Sequence, residues 1–271
     1  MSCNHDCSNC ASKGGCDKQD FKVAANAKSH VKRVVAVMSG KGGVGKSLVT
    51  ELLAVGAAKR GLKVAVLDAD ITGPSIPTAF GVRERASADA ENNILPSKSA
   101  CGISLMSLNL LIDNPQDPVV WRGPVIAGVV KQFWSDVAWG DVDILFVDMP
   151  PGTGDVPLTV FQSLPVDGVV VVASPQELVG MIVEKSVRMA EMLEKKVLGL
   201  VENMSFFTCP DCGKRLEIFG PSRVDELAAR HHIPVACRLP INPAFAAAVD
   251  RGAVESLECP DLAPLVDALL A

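Results

Sequence analysis

Eight consecutive residues, Gly40-Lys41-Gly42-Gly43-Val44-Gly45-Lys46-Ser47, carry the clearest chemistry in the sequence. They satisfy G-x-x-x-x-G-K-[ST], a pattern whose glycines let backbone N–H groups turn toward phosphate oxygens. The helix expected to open near Lys46 adds positive potential at its N-terminus. Lys46 is then the group that reaches the β- and γ-phosphates, and Ser47 the hydroxyl that ligates Mg²⁺. Three carboxylates fit the same site. Ile144–Val147 is an apolar run ending in Asp148, placed as a water-mediated partner of Mg²⁺. It leads into Met149-Pro150-Pro151-Gly152-Thr153-Gly154-Asp155, a glycine-hinged loop suited to sensing the γ-phosphate. Val64–Leu67 ends in Asp68-Ala69-Asp70, where a ligand role competes with a turn or helix-capping one. The sequence contains no Asn-Lys-x-Asp guanine reader, which favours ATP over GTP. Lys41 is a second lysine inside the loop, one more than a nucleotide held by its own chain requires.

Cysteine supplies the second kind of chemistry. Cys209-Pro210-Asp211-Cys212-Gly213-Lys214 sets two thiols on either side of a turn and aims both at one ion. Two ligands do not fill a four-cysteine site, so such a site here needs two chains. Half of a zinc ribbon and a redox dithiol compete with that reading, and spacing alone does not separate zinc–thiolate from iron–sulfur. The dithiol is the weaker rival, because the motif does not open a helix after a strand. Cys3, Cys7, Cys10 and Cys16 place four more thiols within 14 positions, enough for one cluster or one zinc ion, with a reactive, loosely ordered tail as the alternative. Cys101, Cys237 and Cys259 stand apart and are expected to be small buried hydrophobes.

These groups need a scaffold. Short Val-rich runs at Val34–Met38, Val64–Leu67, Ile144–Val147, Val169–Ala173, Val197–Val201 and Ile233–Val235 are continuous, as strands buried on both faces should be. Helical patterns fall between them at Ser47–Arg60, Gly123–Val137 and Gln176–Lys195, where Leu178, Met181, Ile182, Lys185, Met189 and Met192 trace a mostly apolar face whose methionines are expected in the core. The alternation predicts an α/β fold, a predominantly parallel sheet with helices on both faces. Residues 81–100 read as a polar surface excursion. The domain is expected over residues 31–271, with a Cys-x-x-Cys insert near 204–221 and a cysteine-rich tail over 1–20. The 271 residues carry 26 basic and 31 acidic side chains, net −5, which argues against nucleic-acid or anionic-membrane partners. No apolar run approaches the ~20 residues of a membrane helix, and no basic-then-apolar leader opens the chain. A cytoplasmic location is expected, where nine cysteines suggest metal chemistry rather than disulfides.

The set SGKGGVGKS, DADITGPSIP, WRGP, DVAWGDVDILFVDMPPGTGD, ENMSFFTCPDCG and IFG resembles the Mrp/ApbC iron–sulfur cluster carrier ATPases, from about residue 31 to the C-terminus. Its loop, with Lys41, resembles the deviant phosphate loop of the MinD/ParA/nitrogenase-iron-protein group, in which that lysine reaches the partner subunit's nucleotide. The resemblance implies a homodimer that binds ATP and Mg²⁺, holds a [4Fe–4S] cluster between the Cys209/Cys212 pairs of two chains, and passes it to apo iron–sulfur proteins. It implies that Gly40 to Ser47 bind ATP, that Lys41 and Lys46 hold phosphates, and that Ser47 and Asp148 organise Mg²⁺. By the same resemblance Asp70 orients the attacking water, Asp68 stands behind the metal, and Asn203 and Pro240 lie at the adenine. Leu48 departs from the threonine common there in the family. The Cys7/Cys10/Cys16 spacing resembles the N-terminal cluster motif of longer scaffold members, although Cys3 lies closer than their first cysteine. The rival readings are a spatial-organiser ATPase of the MinD/ParA type and a zinc-binding NTPase. Against the first, Leu262–Ala271 lacks the basic face of a membrane-targeting helix.

Overall fold

The structure, a computed structural model, describes residues 22–71, 73–112, 123–178 and 181–271. Cys3, Cys7, Cys10 and Cys16 lie outside them.

A nine-stranded sheet forms the centre. Its strands are β1 (Val34–Met38), β2 (Val64–Asp68), β3 (Ser97–Lys98), β4 (Ser104–Met106), β5 (Ile144–Asp148), β6 (Gly168–Ala173), β7 (Lys196–Thr208), β8 (Arg215–Leu216) and β9 (Ala236–Pro240). In space the order is β8-β7-β6-β1-β5-β2-β4-β3, with β9 also paired to β7. Every pairing from β2/β4 through β6/β7, and β7/β9, is parallel; β3/β4 and β7/β8 are antiparallel. The first strand is therefore flanked by β5 and β6. The connection after β1 runs to one side, toward β2, and the connection after β5 runs to the other, to β6, which opens a crevice at the C-terminal ends of β1 and β5.

Successive residues of each central strand serve opposite faces, because side chains alternate across a strand. Ala36, Met38, Leu67, Leu145, Val147 and Val169 join one core, against helices α2 (Gly123–Ser135), α3 (Asp155–Ser163) and α4 (Met181–Met192). Val35, Val37, Val66, Phe146, Val170 and Val172 join the other, against α1 (Lys46–Ala58) and the C-terminal helix Ala263–Leu270. Both faces are dry, so both halves of each strand read as apolar. Residues 23–31 also pack onto the sheet's helices. Trp134 Nε1 donates to the Val23 carbonyl, and Ser29–Val31 pairs with Gly140–Val142.

Three expectations shift. The run Ile233–Val235 precedes its strand. His232 sits at φ 53° and Pro234 has no N–H to give a ladder, so pairing with β7 begins at Ala236. Met192 is exposed, at the solvent side of the last turn of α4. Cys101 is exposed as well. It occupies the turn between β3 and β4, where Gly102 takes φ 85° and the Cys101 N–H donates to the Glu255 carboxylate. Cys237 is buried, as expected, and Cys259 packs against the same core but is only half-buried. Burial pushes both thiols up to about 11.

Candidate functional site

The phosphate loop leaves β1 at Ser39 and closes on α1. Gly45, at φ 82°, is the residue before the helix, and its conformation turns the chain into the first helical turn. Ser39 Oγ donates to the Lys41 carbonyl, and the Gly152 N–H donates to the Ser39 carbonyl, so the loop after β5 lies against the phosphate loop. The Lys41 side chain is exposed at the outer rim.

Lys46 turns inward. Its Nζ lies 2.8 Å from Asp148 Oδ1, and both side chains are almost entirely shielded from water. Ser47 Oγ donates to Asp148 Oδ2 at 2.7 Å, and Thr50 Oγ1 donates to Oδ1 at 2.7 Å. The central crevice thus gathers Lys46, Ser47 and Asp148. The Ser47 hydroxyl and Asp148 carboxylate form a hard oxygen pair of the kind Mg²⁺ takes.

Two further acids stand behind them. Asp68 pairs in register with Asp148 across β2/β5. It accepts from Ser107 Oγ at 3.1 Å and from the N–H groups of Asp70 and Ile76. Those bonds shape the loop that carries Asp70, which is half-buried. Burial, and next the charge of Asp148, push the Asp68 carboxyl up. Glu51, on α1, is 1% exposed, and its Oε2 finds no partner. Burial pushes its carboxyl well above the usual range, and Asp148 and Asp68 add to the effect while Lys46 opposes it. Sequence reasoning passed over Thr50 and Glu51. The available signal was a polar pair within an otherwise apolar helix face.

Asn203 reaches the loop from β7. After the pair Glu202↔Arg238, the β7/β9 register slips and resumes at Phe206↔Pro240, so four steps along β7 match two along β9. This bulge, with Met204 at φ 58°, re-aims the strand. Asn203 Nδ2 donates to the Val44 carbonyl at 2.9 Å, and Oδ1 accepts from the Met204 N–H. A Cβ on residue 45 would lie 2.2 Å from Asn203 Nδ2, so glycine is required there twice over. Pro240 lines a cavity of about 380 Å³ with Phe207, Thr208, Pro210, Ile241 and Asn242. It therefore stands between the bulge and the thiol turn.

The thiols sit where β7 overruns its neighbours. The Cys209 N–H donates to the Lys214 carbonyl, and the Gly213 N–H, at φ 68°, donates back to Cys209. The turn directs the backbone N–H groups of Cys212 and Asp211, and the Cys212 thiol, at the Cys209 sulfur, which holds that thiol below its ordinary value. Cys209 and Cys212 thus share one small turn at the surface. Among the described residues, no cluster of three or more His, Cys, Asp or Glu is placed to hold a metal ion.

Residues 30–268 match the family described as NUBPL iron-transfer P-loop NTPase. The chain belongs to that family. Its relatives include the iron-sulfur cluster carrier proteins of Clostridium perfringens and Methanocaldococcus jannaschii, 43% and 41% identical over 92% of this chain and 90% and 89% of theirs. The nucleotide-binding protein of Archaeoglobus fulgidus, solved in complex with ADP, is 44% identical, with a TM-score of 0.77 over 86% of this chain and 91% of that one. The cell-division ATPase MinD of Pyrococcus furiosus, 18% identical, gives a TM-score of 0.62 over 88% of this chain and 98% of its own, a likeness of fold alone. The α/β, parallel-sheet P-loop architecture expected from the sequence is the family's architecture. The spatial-organiser reading is not favoured.

Two outcomes follow for this member of the family. Gly45→Ala drives a methyl into Asn203 at a positive φ, a cost of about 1–3 kcal/mol. Affinity for a non-hydrolysable ATP analogue should fall about tenfold or more by calorimetry, and wild-type affinity would contradict the close approach. Glu51 keeps its proton more strongly folded than unfolded. Its cost to stability is absent below about pH 4.5, the ordinary carboxyl value, and grows as pH rises toward the folded value. Glu51→Gln should therefore flatten the fall in Tm as pH rises above about 4.5. Parallel curves for the two proteins would refute the protonated acid.

Proposed function

We propose that this chain binds an iron–sulfur cluster between two copies of itself and delivers it to apo-proteins, with ATP binding and slow hydrolysis setting the arrangement of the pair. One observation carries the reading. A turn offers two converging thiols, one of them held low, and the chain adds no third ligand among the described residues. Four-coordinate thiolate iron then calls for a second copy of the same turn. Leu216, Ile218 and Phe219 beside it are exposed, and they give that face an apolar surface to cover. Family membership and the carrier names of the relatives support the cargo.

In this reading Gly40 to Ser47 cradle ATP, Lys46 holds its phosphates, and Lys41, exposed at the rim, reaches the nucleotide of the partner. Ser47 and Asp148 hold Mg²⁺, which when bound neutralises phosphate charge. Asp70 orients the attacking water, and Asp68, fixed by Ser107 and its own loop, stands behind the metal. Asn203 and Pro240 flank the adenine. Cys3, Cys7, Cys10 and Cys16 hold a second, tail-borne cluster. The carrier works in the cytoplasm. Consistent with this, no helix among the described residues is long and apolar enough to cross a membrane.

The test uses protein prepared without oxygen, with the four tail cysteines changed to serine so that only the turn is read. Such protein should be brown, dimeric, and hold about one cluster per two chains. Adding Cys209→Ala and Cys212→Ala should remove iron and sulfide together. Iron retained in full, or a colourless protein carrying zinc, would reject the bridging cluster. Separately, Lys46→Ala should abolish ATP hydrolysis, and normal turnover would reject the assigned phosphate site.

A further inference from the structure

Arg238 lies on β9, opposite Glu202 of β7, at the last regular pair before the bulge. Glu202 is fully buried, and its Oε1 has no hydrogen-bond partner. A carboxylate so placed needs a counter-charge. Ser205 Oγ donates to Glu202 Oε2. Arg238 Nε donates to Ser205 Oγ at 3.1 Å and stands 3.7 Å from Glu202 Oε2. The same guanidinium reaches outward, and its Nη2 donates to Glu217 Oε1 at 2.7 Å. Glu217 follows β8 directly, on the hairpin whose turn carries Cys209 and Cys212. Arg238 thus joins the bulge that places Asn203 on the phosphate loop to the hairpin that places the thiols.

The path is continuous. The Val44 carbonyl in the loop takes a hydrogen bond from Asn203, and Ser205 and Glu202, on either side of Asn203 and Met204, hold Arg238. Arg238 in turn holds Glu217. Beyond the short β7/β8 ladder, and the Arg215 guanidinium 4.4 Å over the Phe206 ring, Arg238–Glu217 is the polar tie of the hairpin to the sheet among the described residues. The bulge at its root holds a non-glycine residue, Met204, at φ 58°, a conformation maintained by its neighbours rather than by itself. A coupling path needs an element with two arrangements, and this strained bulge is the point on the path where one would sit.

We propose that Arg238 is a positioning residue: it transmits the state of the phosphate loop, through Asn203 and the bulge, to the hairpin bearing Cys209 and Cys212. The inference rests on the nucleotide and thiol sites proposed above. It adds that nucleotide changes the exposure of the thiols only while Arg238 bridges Glu202 and Glu217.

The test measures alkylation of Cys209 and Cys212 in the cluster-free full chain, resolved by peptide mass spectrometry so that other thiols do not count. Rates are taken with and without a non-hydrolysable ATP analogue and Mg²⁺. In the wild type the analogue should change the rate by about fivefold or more, the scale of ordinary coupling between sites. Glu217→Ala removes only the exposed end of the bridge and leaves Glu202 covered, so folding is not at issue. It should bring the ratio to near one while analogue affinity stays within about twofold of wild type. Arg238→Ala should do the same, and Arg238→Lys should restore part of the ratio. A wild-type ratio retained in Glu217→Ala and Arg238→Ala, or no nucleotide effect in the wild type, overturns the proposal. So does a loss of analogue affinity in Glu217→Ala equal to the loss of response. The cluster reading is judged apart, by iron and sulfide content, and stands or falls without this result.

Discussion

One lysine faces three carboxyl groups beneath the phosphate loop, all nearly sealed from water. Lys46 and Asp148 pair at 2.8 Å, and Ser47 and Thr50 each donate a further hydrogen bond to the Asp148 carboxylate. Removing one member of such a buried pair costs about 3–5 kcal/mol, because the other charge is left without water or partner. With Glu51 and Asp68 also buried nearby, the site holds more acid than base, and burial answers by favouring protons on those two carboxyls. This constraint organises the centre of the fold. β1, β2 and β5 must lie side by side and end level, because that alignment brings Lys46, Asp68 and Asp148 together. An arriving polyphosphate offers Lys46 a second anionic partner in place of Asp148. Phosphate and carboxylate then compete for one ammonium group, and in the proposed function this makes the pocket responsive to its occupant.

The close fit around Gly45 extends that constraint sideways. A hydrogen bond to the Val44 carbonyl brings Asn203 against the loop, and the bulge in β7 is the means of getting it there. A regular strand would continue its ladder with β9 through residues 203–205. Two extra residues interrupt the ladder, turn Asn203 toward the loop, and leave Ser205 free to serve Glu202 and Arg238. A single irregularity therefore builds both the wall of the nucleotide crevice and the root of the thiol hairpin.

Much of this was legible in the residues, for physical reasons. The strands β1, β2, β5 and β6 are covered on both faces, so their Val-rich runs carry no polar interruption to blur them. The phosphate loop is written in glycine and lysine, types chosen by backbone shape and charge rather than by distant contacts. What stayed hidden depends on pairing across the sheet. The bulge is invisible in Val-Glu-Asn-Met-Ser-Phe, which reads as uninterrupted strand until its partner β9 is known. Arg238 reads as a surface charge until Glu202 is seen beneath it. Glu51 resembles a solvated helix charge, because periodicity alone does not say that its side of α1 faces other acids. The turn at Cys101 is set by the antiparallel return of β4 on β3, a register that composition does not encode.

The length of β7 gives the thiol turn its character. β6 accompanies it only as far as Glu202, opposite Ala173, while β7 continues to Thr208. Beyond that point one flank meets β9 and the short β8, and the hairpin stands clear of the sheet's helical layers. Residues there lose the dry neighbours that bury the rest of the strand, so Cys209 and Cys212 remain at the surface with Leu216, Ile218 and Phe219. A thiol pair in the core would be inert and its value raised, as Cys237 and Cys259 show. The overhang reverses that condition: backbone N–H groups hold Cys209 low, and no side chain of the described chain completes the set. In the proposed dimer, two such overhangs related by a two-fold axis would bring four thiols and two apolar patches together in one step. Separating them would return both to solvent, which suits a cargo that must be held and then released.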